Sequence, residues 1–183
     1  MSFPVTLFSA SFVAGWRRPA WMAALVVATM AFSSLFACAT PFAALAVVAV
    51  ATLARRDAIF CVLAAWLANQ LIGFALLGYP QTSNSFVWGG VIGIAAVACV
   101  FASAWALPRS MGAVWKRLVM TFAASVLAYQ AVMLLASLTP LGGMDDFTVS
   151  IIGYVVGVNA MAIAGLLALR YAVSVTFARK ISA

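Results

Sequence analysis

The sequence predicts an all-α polytopic membrane protein, a single bundle of six transmembrane helices with both termini on the cytoplasmic side. Three observations predict it. Of 183 residues, 67% are hydrophobic and 7% charged; a water-soluble domain carries roughly 25% charged residues, so this chain has too few to cover a soluble surface. The ten Lys and Arg residues fall in four clusters: Arg17 and Arg18; Arg55 and Arg56; Arg109, Lys116 and Arg117; and Arg170, Arg179 and Lys180. The apolar stretch between consecutive clusters is long enough for two crossings at about 20 residues each, which returns the chain to the same side every time.

Within residues 1–18, positions 1–16 are apolar but broken by Ser2, Pro4, Thr6, Ser9, Ser11 and Gly15, with Trp16 beside the first arginines. This pattern predicts a segment lying at the membrane interface. The first span, 19–38, opens on Pro19, a favoured first-turn residue, and stops before Pro41, which disfavours helix at the residue preceding it. The second, 41–54, rises only about 21 Å at 1.5 Å per residue and falls short of a hydrocarbon core of about 30 Å. It must be sheltered by its neighbours or preceded by a loop that dips into the membrane. The remaining spans are 57–78, 86–107, 115–138 and 147–170. Asp57 follows two arginines as a helix-start acid, and Asp145 and Asp146 are placed to do the same for the sixth span.

With six spans, every basic residue lies on one side, the positive-inside pattern. The net charge of +7 is therefore a statement of topology, and nucleic acid is not the expected partner. The opposite loops carry Tyr79, Pro80, Gln81, Asn84, Pro140, Gly142, Gly143, Asp145 and Asp146. A binding function is expected on that outer side.

The chain contains no His and three acidic residues. That removes the usual general base and leaves no paired carboxylates, so no enzymatic activity is expected. A phosphate-binding G-x-x-x-x-G-K-[ST] loop is missing from the sequence, so the chain does not hydrolyse ATP. Its three cysteines do not make a disulfide framework. Cys61 and Cys99 fall in the inner half of their spans, while Cys38 alone falls near the outer face.

Polar side chains inside spans must find a partner or a wet cavity. Asn69 and Gln70 in span three, Tyr129 and Gln130 in span five and Asn159 in span six are such residues. Either they bond between helices or they line a cavity; Asn69, Tyr129 and Asn159, with Tyr79, Gln81, Asn84 and Trp88, are the substrate-lining candidates. Small-residue ladders at Ala20, Ala24 and Ala28, at Ala98, Ala102 and Ala106, and at Gly153 and Gly157 permit close helix approach, within the bundle or against a partner.

The block PFAALAVVAVATLARRDAIFCVLAAWLANQLIGFALLGYP, Pro41 to Pro80, and WGGVIG, Trp88 to Gly93, resemble the substrate-binding S components of energy-coupling factor transporters. The six-helix size, the short second span after a proline and the Ala20-Ala24-Ala28 face fit the same likeness. It implies a bacterial inner-membrane protein that binds a vitamin at its outer face, with those alanines docking a shared transmembrane and ATPase module. Within the family the chain is most similar to the cobalamin-uptake type. That likeness implies Cys38 as a ligand to the cobalt of the bound corrinoid, a soft thiolate donor being suited to that metal. No cofactor belongs to the protein itself. The rival expectation is an accessory subunit whose small-residue faces pack into a larger membrane complex and which binds no substrate.

Overall fold

The computed structural model describes residues 17–36 and 40–181, with 146 and 177–181 described by backbone alone. The interfacial segment expected before Arg17, and Cys38, lie outside the described residues. Six α-helices follow in order: α1 (Arg17–Leu35), α2 (Phe42–Thr52), α3 (Arg55–Ala75), α4 (Ser83–Arg109), α5 (Val114–Ser137) and α6 (Val149–Ile181). A short 3-10 turn, Met144–Asp146, precedes α6. All but α2 are long and apolar enough to cross a membrane. Their outward faces carry Val27, Leu71, Ile94, Phe101, Leu127 and Leu135, each at least half exposed, as a lipid-facing surface requires.

The exception organises the bundle. At 11 residues α2 rises only about 16 Å. Of its side chains only Val50 is not fully buried. It packs against each of the other five helices. Its residues FAALAVVAVAT are apolar on every face, the pattern of a helix surrounded by protein. Alanines at 43, 44, 46, 49 and 51 let the neighbours come close. The sheltered position expected for the second span is thus observed, with α2 two residues shorter at its end than the sequence suggests.

The first two basic clusters meet where α1 and α3 begin. Arg18 Nη1 of α1 pairs with Asp57 Oδ2 in the first turn of α3 at 3.2 Å. Aromatic rings stand under nearby cations: Arg56 lies 5.6 Å from the Phe60 ring centre, Arg109 4.8 Å from Trp105 and Lys116 5.5 Å from Trp115. This mixture of Trp and basic side chains is the composition of a membrane–water interface.

Most helix ends shift by one to three residues from the sequence expectation, and three differences stand out. Helix α4 continues to Arg109 through Pro108, which forgoes one helical hydrogen bond one residue before the helix ends. Helix α6 runs on to Ile181, eleven residues past the expected 170, since no glycine or proline follows Arg170. Asp145 and Asp146 do not start α6: they belong to the separate 3-10 turn, and Thr148 Oγ1 accepts the Ile151 N–H at 3.2 Å instead. Thr82 does the same for α4, accepting from Ser85 N at 3.2 Å.

Candidate functional site

A buried short helix has two ends whose backbone groups cannot turn to water. At the C-terminal end of α2, Thr52 Oγ1 donates to the Val48 carbonyl at 2.7 Å and accepts from Trp21 Nε1 at 3.0 Å. The Leu53 N–H returns to Ala49 O at 2.8 Å. That end is closed by short bonds among buried groups.

The N-terminal end is built differently. Asn159, buried on α6, accepts the Ala44 N–H through Oδ1 at 3.0 Å and donates from Nδ2 to its own helix at Val155 O, 2.9 Å. A backbone donor on one side and a backbone acceptor on the other fix the orientation of this amide. Ser125 Oγ of α5 donates to Ala43 O at 3.2 Å. In front of the helix, Thr40 Oγ1 donates to Asn69 Oδ1 at 2.7 Å. Its hydrogen being spent there, Thr40 takes the hydrogen of Ser33 Oγ, 2.8 Å away. Five helices and the loop before α2 are tied together through these side chains.

The same groups border a cavity of about 100 Å³, lined by Thr40, Phe42, Asn69, Ile92, Tyr129, Val155 and Asn159. Three of the sequence-derived candidates, Asn69, Tyr129 and Asn159, converge there from α3, α5 and α6. No hydrogen-bond partner among the described residues meets the Tyr129 hydroxyl. The wall contains no charged side chain.

The other candidates fall elsewhere. Tyr79 packs against Gly73 and meets Phe74 edge-on, with ring centres 6.0 Å apart. Gln81 and Asn84 are exposed near the start of α4. Trp88 lies beside Gly143, where an added Cβ would stand 3.1 Å from Trp88 Cζ2; the backbone there, at φ +95°, is one that glycine adopts most readily. None of these four lines the cavity. Thr40, Phe42, Ile92 and Val155 do, and sequence reasoning missed them. Thr40 was detectable as a hydroxyl directly before Pro41, at the mouth of a helix too short to cross.

Ala20 is exposed, while Ala24 and Ala28 are half-buried against the core, flanking the inward stripe Trp21, Leu25, Thr29 and Ser33. The remaining cysteines are packing groups: Cys61 Sγ points at Met22 O, 3.7 Å, and Cys99 Sγ at Ser125 O, 3.3 Å. No three His, Cys, Asp or Glu residues gather into a metal-holding group among the described residues.

The chain matches no known family, curated protein or solved structure. The chemistry of the cavity has to be read from its own atoms. Desolvating a carboxylate costs several kcal/mol, whereas a helix N-terminus returns about 0.3–1 kcal/mol to an anion. With no cation in the wall, a neutral occupant is favoured over a charged one.

Proposed function

We propose that this chain is a solute-binding membrane protein of the S-component kind, set in a bacterial inner membrane with both termini cytoplasmic, and that it takes up a vitamin. Cobalamin is the first substrate to test. The observation that carries the reading is the convergence of Asn69, Tyr129 and Asn159 on a cavity at the start of a buried, non-crossing helix. Irregular backbone at membrane depth is tolerated where it borders protein or a cavity, and binding sites are built at such broken or shortened helices.

The cavity of about 100 Å³ is well below the roughly 300–1,000 Å³ of a site that encloses a drug-sized ligand. A vitamin would insert one side group and rest the remainder against the outer ends of the helices, with Tyr79, Gln81, Asn84 and Trp88 as the proposed contacts there. The amide arms of a corrinoid are side groups of suitable size and charge. Cys38 precedes Thr40 by two residues and remains the proposed cobalt ligand; Ala20, Ala24 and Ala28 remain the proposed docking face for a transmembrane and ATPase module.

Titration of the purified protein in lipid nanodiscs with cyanocobalamin tests the reading. Saturable binding is expected, with an absorption change that is lost in Cys38→Ala. Unchanged absorption in that variant would overturn the thiolate assignment alone. Absence of saturable binding would overturn cobalamin as substrate. Reporter fusions at the two termini test the orientation, a periplasmic signal from either being the adverse result.

A further inference from the structure

The hydrogen-bonding capacity around the cavity is one-sided. Asn69 Oδ1 is occupied by the Thr40 hydroxyl, leaving the Asn69 Nδ2 hydrogens uncommitted. Asn159 Oδ1 is occupied by the Ala44 N–H, and Nδ2 uses one of its two hydrogens on Val155 O. The Thr40 hydroxyl is engaged on both sides, by Ser33 and by Asn69. The Tyr129 hydroxyl can give a hydrogen and has no partner among the described residues. The wall therefore offers uncommitted side-chain N–H and O–H hydrogens, while each carboxamide oxygen already accepts one hydrogen bond and keeps only its second lone pair. Phe42, Ile92 and Val155 complete it with apolar surface.

We propose that the cavity is a subsite for an uncharged carbonyl group, an amide or ureido oxygen, received by Asn69 Nδ2, Asn159 Nδ2 and the Tyr129 hydroxyl, with a short apolar stem against Ile92 and Val155. This rests on the reading of the cavity as a ligand site and narrows it to a chemical class. A cation finds no carboxylate among the described wall residues, and only neutral oxygens, two of them already accepting a bond, to take its hydrogens. A carboxylate finds the same donors but no counter-charge and loses its hydration. An alcohol uses the donors less well, because its oxygen is the weaker acceptor. The size agrees: at about 30 Å³ per water, some three waters fill the cavity, the bulk of a carboxamide and its first carbon.

Four probes of one chain length, valeramide, valerate, pentylamine and pentanol, separate these classes. Each is titrated into the protein in nanodiscs and read by saturation-transfer NMR, with empty nanodiscs correcting for partition into lipid. Valeramide is expected to bind saturably and at least tenfold more tightly than the other three. Tyr129→Phe is expected to weaken valeramide three- to tenfold with an unchanged unfolding midpoint. Asn69→Asp, which replaces a donor by an acceptor, is expected to reverse the order of valeramide and pentylamine. Ile92→Phe fills the cavity and is expected to abolish the saturable component. Tighter binding of valerate or pentylamine to the unmodified protein would overturn the neutral-carbonyl assignment and leave the cavity standing as a ligand site. If none of the four binds saturably, the ligand-site reading fails, and the subsite with it.

Discussion

The two ends of α2 meet the same demand in opposite ways. Both lie inside the bundle, and both must satisfy backbone groups without water. At the C-terminal end the bonds close on themselves, Trp21 to Thr52 and Thr52 to Val48, leaving no side-chain donor spare. At the N-terminal end Asn159 and Thr40 satisfy the backbone and their neighbours, yet a cavity and an unpartnered phenol remain beside them. One end is a seal and the other a receptacle. A buried polar group in a membrane bundle thus has two uses, told apart by whether its capacity is exhausted.

Substitutions at each end test that contrast. The largest loss is expected for Asn159→Leu, which strands the Ala44 N–H inside the bundle; about 2–3 kcal/mol of stability should go, measured by reversible unfolding in mixed micelles. A loss under about 0.5 kcal/mol would mean that another group caps α2. Next comes Gly93→Ala, beside the cavity-lining Ile92. An added Cβ there would stand 2.9 Å from Trp66 Cε2, forcing α3 and α4 apart; about 1–3 kcal/mol is expected, the usual range for overpacking. Gly157→Ala is the control: nothing stands within 4 Å of that Cβ position, and helix propensity makes the change neutral or stabilising by up to about 1 kcal/mol. At the sealed end, Trp21→Phe removes one hydrogen bond while Thr52 keeps Val48 O, a net loss of about 1 kcal/mol. Tyr129→Phe should cost least, under about 0.5 kcal/mol, because its hydroxyl holds nothing in the fold. Equal losses for Trp21→Phe and Tyr129→Phe would erase the distinction between the ends.

The helix order, the nearness of the first two basic clusters and the sheltering of α2 could all be read from the chain. They depend on one-dimensional quantities: run length, charge position and the short distance from Pro41 to Arg55. Depth along a helix can be counted in the same way, which is why Asn69, Tyr129 and Asn159 were found together. Direction around a helix cannot be counted so, because it depends on which neighbour packs where. Trp88 therefore turns to Gly143 rather than to the cavity, and Tyr79 folds back on Gly73. The glycine pairs make the same point. Gly153 and Gly157 have the spacing of a packing motif but open surroundings, whereas Gly89 and Gly93, within the segment noted only for its family texture, receive Gln70 and Trp66 of α3. The Trp66 indole even donates to Gly89 O at 2.8 Å. The acids before α6 misled for a local reason: Thr148 stands closer to the first turn and reaches Ile151 N.

The length of α2 has a mechanical consequence. A bilayer that thickens or thins acts on lipid-facing helices through hydrophobic mismatch, which they answer mainly by tilting, at fractions of a kcal/mol per Å. Five helices here are exposed to that force; α2, enclosed by protein on all sides but Val50, has little lipid contact through which to feel it. Tilting moves Asn69, Tyr129 and Asn159 on their helices, while the start of α2 follows only through packing. The cavity lies at the seam between the elements that bilayer thickness moves and the one that it does not.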